Sequence, residues 1–172
     1  MELLIPGLIL VALMVYASTR IKKTAARAFE AEAIETAEFV IQKPDGFLTV
    51  IGGDPQYAFE AYSKEFGGVG AENFRQATAH VRVYEGIAVD EAAANLSNAG
   101  NEIVSDMSEV VGERHYRVIE AKRTEKGVGF SVFYKLAERE AMVYEFEIAA
   151  LAETSDEFMR KIEAMLGSFE LV

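Results

Sequence analysis

Metal or acid–base chemistry in this chain would have to start from His80 and His115, the only two histidines in 172 residues. A catalytic metal needs clustered histidine or carboxylate ligands. The two histidines fall on separate expected strands and in no ligand spacing. If those strands were neighbours, the imidazoles would form a pair responsive to pH near about 6.5. Otherwise they are ordinary strand histidines. A nucleophile needs an oriented base. No serine sits in a G-x-S-x-G elbow, and Gly167-Ser168-Phe169 follows the end of an expected helix. Phosphate-binding loops need G-x-x-x-x-G-K-[ST] or G-x-G-x-x-G. Gly67-Gly68-Val69-Gly70 and Gly127-Val128-Gly129 fit neither pattern and read as turns. No calcium loop of the D-x-[DN]-x-[DN]-G type is present. The carboxylates are numerous and belong mostly to solvated faces, while Asp54, Asp90 and Asp156 read as helix starts. We therefore assign no catalytic, cofactor-binding or metal residue and expect a protein that is not an enzyme.

One cluster of charge stands apart. Arg114, Arg117, Lys122, Arg123 and Lys126 gather on one expected hairpin arm, the one basic island of an acidic domain. It reads either as a docking patch for an acidic partner or lipid head groups, or as charge protecting a strand edge.

The chain holds 17 Lys and Arg against 28 Asp and Glu. Residues 1–27 take four of the basic residues and one of the acidic, which leaves 13 against 27 and a net charge of −14 beyond them. Such a domain repels nucleic acid, so a nucleic-acid role is rejected. With no cysteine, disulfides, thiolate catalysis and thiolate-bound zinc or iron–sulfur clusters are excluded.

The elements that must hold these groups follow from periodicity. Residues 38–43 (EFVIQK) read as a strand, Pro44-Asp45-Gly46 as a turn, and Phe47–Ile51 as the return strand. Asp54-Pro55 reads as a helix start, with Phe59, Tyr62 and Phe66 on one face and Gly67 as the stop. Phe74 to Tyr84 is a strand with Ala77, Ala79, Val81 and Val83 on one side. Thr78, His80, Arg82 and Tyr84 lie on the other. Asp90 caps a short helix ending near Gly100. Strands follow over 102–107, 114–124, 128–137 and 141–151. In the last, Met142, Tyr144, Phe146 and Ile148 alternate with Val143, Glu145, Glu147 and Ala149, the pattern of a half-buried antiparallel strand. Thr154 and Glu157 form a capping box for a final helix, whose stripe of Phe158, Ile162, Met165, Leu166 and Phe169 faces the sheet. The fold class is α+β, a mainly antiparallel sheet packed with helices.

Upstream, Leu3–Ala17 (LLIPGLILVALMVYA) is apolar without interruption. Fifteen helical residues span about 23 Å, short against a hydrocarbon core of about 30 Å. Ten of them are Leu, Ile, Val or Met, and insertion scales give them on the order of −3 to −6 kcal/mol together. Arg20, Lys22, Lys23 and Arg27 follow directly and suit the membrane interface. We read residues 1–19 as a single-pass transmembrane anchor, 20–36 as a helical stalk with Ile21, Ala25, Phe29 and Ala33 on one stripe, and 37–172 as the α+β domain. The basic flank puts the domain on the cytoplasmic side of a bacterial inner membrane. A cleaved export signal is the alternative: Val15-Tyr16-Ala17 suits cleavage, but the leading end carries Glu2 and no basic residue.

Two stretches resemble the PsbP-like family of extrinsic photosystem II proteins. One is "MVYEFEIAALAETSDEFMRKIEAMLGSFELV" (Met142–Val172), where a strand with an aromatic-rich face meets a capped helix ending in Ser168-Phe169. The other is "FVIQKPDGFLTV" (Phe39–Val50), a first hairpin around a Pro-x-Gly-Phe turn. The resemblance implies an α+β sandwich that serves as a binding or assembly module. It carries over no site residue. Family members are usually exported, which departs from the inward charge pattern here, and the stalk is additional. The resulting expectation is a membrane-anchored, non-enzymatic accessory subunit or assembly factor, partnered with the lipid bilayer and a membrane protein complex. The alternative is a tethered binding protein for a small apolar ligand or lipid, held in a pocket lined by Phe133, Tyr144 and Phe158.

Overall fold

The computed structural model describes residues 27–172 together with Met14 and Tyr16. The expected anchor, and the interface residues Arg20, Lys22 and Lys23, lie outside the described residues. Arg27 is described and exposed. Among the described residues, no helix is long and apolar enough to cross a membrane.

Among the described residues, ten strands and two full helices follow one another. They are β1 (Glu32–Glu35), β2 (Phe39–Lys43), β3 (Phe47–Thr49), β4 (Tyr57–Ser63), β5 (Ala77–Glu85), α1 (Val89–Asn98), β6 (Glu102–Val111), β7 (Arg114–Glu125), β8 (Val128–Arg139), β9 (Met142–Leu151), α2 (Asp156–Gly167) and β10 (Glu170–Leu171). They form a three-stranded sheet, β1-β2-β10, and a seven-stranded sheet, β3-β4-β5-β9-β8-β7-β6. Every pairing is antiparallel.

The large sheet is covered on both faces, and this determines the burial of its central strands. One face, with the small sheet and α2, builds a core around Phe39, Phe47, Tyr144, Phe146, Ile162 and Phe169. The opposite face, with α1, builds a second core around Leu96, Ile119, Phe130, Val132, Leu136 and Val143. β9 feeds both cores and is buried from Val143 to Leu151. The half-buried reading of that strand is therefore corrected. Its alternation is real, but the polar side faces α1 and its neighbours rather than water. Lys135 is buried on the α2 face. Its ammonium donates to the Gly167 carbonyl at 3.2 Å and lies 2.9 Å from Glu109, satisfying one of the free carbonyls at the end of α2.

Four further expectations are corrected. The stalk helix does not reach residue 36. Glu32–Glu35 is strand β1, in register with β2 from Glu32↔Lys43 to Glu35↔Val40. Glu and Ala favour helix locally, but pairing on the open edge of β2 overrides that weak preference. Residues 55–66 are not a helix. Tyr57–Ser63 is a strand in which Phe59, Ala61 and Ser63 are buried at period two. Phe59 belongs to both patterns, and Phe66 lies outside the strand, half exposed. Asp54 starts a turn instead, its side chain accepting from the Gln56 amide at 3.0 Å. Asp90 does not cap α1, whose N-cap is Ala88 without a side-chain bond. At α2 the cap sits one residue later than expected, on Ser155, whose hydroxyl accepts from the Phe158 amide.

The α+β class, the order of the long strands and the stripe of α2 agree with the structure. Ile162, Met165, Leu166 and Phe169 are all buried, and Phe158 stacks on Phe47 at 5.6 Å.

Candidate functional site

The densest polar cluster lies inside the sheet. β5 and β9 are paired so that His80 faces Glu147 and Arg82 faces Glu145. An H-x-R pair on one strand thus meets an E-x-E pair on the next, on the face that also carries Tyr84. Arg123 reaches in from β7. Its guanidinium donates to Glu147 at 3.1 Å. Arg82 lies 3.4 Å from Glu145 and 3.9 Å from Glu147. Tyr84 donates to Glu145 at 3.2 Å, and Arg82 donates to Tyr57 at 3.2 Å. His80 sits under the Tyr57 ring, with its Nε2 3.5 Å from Glu147, longer than an ordinary hydrogen bond. Glu145 and Glu147 are almost wholly buried, at 1% and 3% exposure.

Two carboxylates face two guanidinium groups, so the cluster is close to neutral, yet the two acids titrate in opposite directions. Burial pushes the Glu145 carboxyl up, and Arg82 offsets only part of that. Burial works the same way on Glu147, but His80, Arg123 and Arg82 together outweigh it and hold that carboxyl below its usual value. The signs decide a pH profile. Glu145, raised in the folded state, binds a proton more readily there, so acidification from neutrality stabilises the fold through this group. Glu147, depressed in the folded state, contributes stability above its unfolded value of about 4.3 that is lost as pH falls through the folded one. Through these two groups stability is expected to rise as pH falls from neutrality toward the unfolded carboxylate value of about 4.3 and to fall below it. Glu145→Gln should abolish the rise and keep the fall. Urea midpoints measured across that range check this, and a rise that survives the substitution contradicts it.

What can this arrangement do? A general acid or base must reach a substrate proton. Tyr57, Arg82 and Tyr84 line a shallow groove of about 420 Å³, but Glu145 and Glu147 are not among its lining residues. One oxygen of each is already engaged, Glu145 Oε1 by Arg82 and Tyr84 and Glu147 Oε1 by Arg123. The geometry crosslinks β5, β9 and β7 on a face that apolar packing covers only in part.

The sequence-derived candidates are placed as follows. His80 and His115 are not neighbours, because β9 and β8 separate β5 from β7. The basic island does not form one patch. Arg123 points to the buried cluster, and Arg117 binds Asp106 through two nitrogens at 2.8 and 2.6 Å and Asp90 at 2.6 Å. Arg114, Lys122 and Lys126 have no carboxylate partner within salt-bridge distance among the described residues. Arg114, His115 and Arg117 line a groove of about 430 Å³ that also carries Asp90, Glu113 and Glu138, so its charge is mixed.

The two glycine-rich turns, far apart in sequence, meet around a third groove of about 530 Å³. Gly67 is there because of close approach: a β-carbon on it would come within 2.6 Å of Ala71 and Leu151. The ligand pocket expected among Phe133, Tyr144 and Phe158 is not one of these grooves. Phe158 is stacked on Phe47, Tyr144 packs against Phe39, and Phe133 rests on the same core. Side chains fill that space. Among the described residues, no group of three or more His, Asp or Glu is arranged to hold a metal ion.

Sequence reading missed Glu145 and Glu147 because alternation alone suggests solvent on the polar side. The available signal was the matching spacing of His80 and Arg82 on a second strand.

No protein-family model matches the sequence, and no curated protein matches it. Solved structures do. The solution structure of PsbP (CyanoP) from Synechocystis aligns with 83% of this chain and 92% of its own, at a TM-score of 0.55 and 12% identity. The fold is PsbP-like. LpqN of Mycobacterium tuberculosis, involved in cell envelope biogenesis, aligns over 83% of this chain and 91% of its own, at a TM-score of 0.60 and 10% identity. The Ran-binding protein Mog1p of Saccharomyces cerevisiae aligns over 84% and 96%, at 0.55 and 10%. At such identities the likeness concerns the fold alone. It agrees with the family resemblance seen at Phe39–Val50 and Met142–Val172.

Proposed function

We propose that this chain is a membrane-anchored, non-enzymatic accessory subunit or assembly factor that binds a partner protein in a membrane complex. The observation that carries this reading is the engagement of the buried acids by their own neighbours: Glu145 with Arg82 and Tyr84, Glu147 with Arg123. A domain whose strongest polar cluster is bound up internally is built to present a stable surface. Mog1p, a Ran-binding protein, lends support as a protein-binding example of this fold. The anchor rests on Leu3–Ala17 and on the basic residues Arg20, Lys22, Lys23 and Arg27 beside it. Partner docking falls to the surface around Arg114, Lys122 and Lys126, the members of the basic island without carboxylate partners.

The test is isolation of the full chain in mild detergent, with recovery of a stoichiometric membrane partner expected. Repeated recovery of the chain alone would overturn the reading. For sidedness, the basic flank favours a cytoplasmic domain, while the envelope role of LpqN favours an exported one. With a reporter fused at Val172, protease added to intact spheroplasts is expected to leave the domain uncut. Cleavage would place it outside.

A further inference from the structure

The large sheet ends in two unlike edges. On one side β3 is three residues long. On the other, β6 runs for ten residues, and its outer side pairs with nothing among the described residues. A long uncovered edge is normally guarded by charge. Here the guards are turned inward: Asp106 is bound to Arg117 and Glu109 to Lys135, both within the sheet. Three apolar side chains remain in water, Val104, Met107 and Val110, each at least half exposed.

The order of residues along β6 is complementary about Met107, with each acid placed against a serine. Reading outward from Met107 gives serine on one side and aspartate on the other, then glutamate against serine, then valine at both ends (V-S-D-M-S-E-V). We propose that β6 pairs antiparallel with β6 of a second copy, about a two-fold axis through Met107. In that register Met107 meets Met107, Asp106 faces Ser108, Ser105 faces Glu109, and Val104 flanks Val110. No carboxylate opposes a carboxylate. Registers centred on Asp106 or on Glu109, or midway between Met107 and Ser108, each place one acid against another, which cross-strand pairs disfavour. The bulge between Ile103 and Ser105 ends the regular pairing at one end. The self-complementary contact is what a closed two-fold dimer requires. Both copies carry a strongly acidic domain, so added salt should strengthen the association by screening their repulsion. A basic strand from another protein, bound to the same edge, would show the opposite salt dependence. The pairing is independent of the accessory-subunit reading.

The chain has no cysteine, so a single Met107→Cys substitution reports on this axis alone. Residues directly opposite in an antiparallel pair lie within disulfide reach. Full-length Met107→Cys in mild detergent is expected to convert mostly to a disulfide dimer under gentle oxidation. Val69→Cys, fully exposed but away from β6, should remain largely monomeric. The unmodified chain should show twice the monomer protein mass, and Met107→Lys should weaken association at least tenfold. Equal crosslinking of the two cysteine variants would overturn the proposal, as would a monomeric mass with Met107→Cys left unlinked.

Discussion

Glu147→Ala should lower the stability of the domain by about 3 kcal/mol, roughly 10 °C in melting temperature. The carboxylate is 3% exposed and faces Arg123, Arg82 and His80 at 3.1, 3.9 and 3.5 Å. Removing it leaves Arg123 without its buried counter-charge, while Arg82 retains Glu145 at 3.4 Å, and an orphaned charge costs more than the pair contributed. The value sits at the low end for a broken buried pair because both arginines retain a path to water, with side chains 22% and 31% exposed. Glu147→Gln keeps the shape and should recover part of the loss. Chemical denaturation at pH 7 measures both. A loss below about 1 kcal/mol for the alanine variant would mean that water had replaced the carboxylate.

The second large effect concerns Phe169. Its ring is fully buried, with centroids 5.2 Å from Phe146, 5.9 Å from Phe39 and 6.5 Å from Tyr116. These three belong to β9, β2 and β7, so one side chain joins the small sheet to the large one at the end of α2. Phe169→Ala should cost about 4 kcal/mol, the transfer of the ring plus the cavity it leaves. Val69→Ala, at a fully exposed position, should stay within about 0.5 kcal/mol. Urea unfolding of the two variants side by side checks the contrast. A Phe169 loss under about 2 kcal/mol would show that the three sheet elements close over the gap.

Much of this architecture is legible in the residues. Pro44-Asp45-Gly46 announces its turn, and Gly46 takes the positive φ of 88° that the turn requires. The α2 stripe is equally plain, because one apolar face at helical spacing has only one way to be buried. The misreadings share a cause. Phe59 fits both a period of two and a helical face, and only the neighbours β3 and β5 decide for a strand. Glu32–Glu35 has helix-forming residues, and only the free edge of β2 makes it β1. Glu145 and Glu147 look solvated until α1 and its surroundings cover that face. Local chemistry specifies periodicity, whereas partners far along the chain specify which period wins and which polar residue is enclosed. The basic island shows the same limit. Five charges close in sequence were split by the inward pull of Glu147 and Asp106.

The pairing of β10 with β2 joins Glu170 to Val40 and Leu171 to Phe39, across 130 residues of chain. Closing so long a loop is entropically slow compared with the two-residue hairpins that build β6 through β9. Those hairpins can form as soon as they are synthesised. β2 cannot gain its second neighbour until the last residues exist. The small sheet is therefore incomplete until Glu170 and Leu171 are made, and a nascent chain lacking them leaves Phe39 and Ile41 without that cover. Premature termination anywhere upstream of Phe169 would yield a protein with most of its hairpins and an exposed aromatic seam, a form suited to capture by chaperones and proteases.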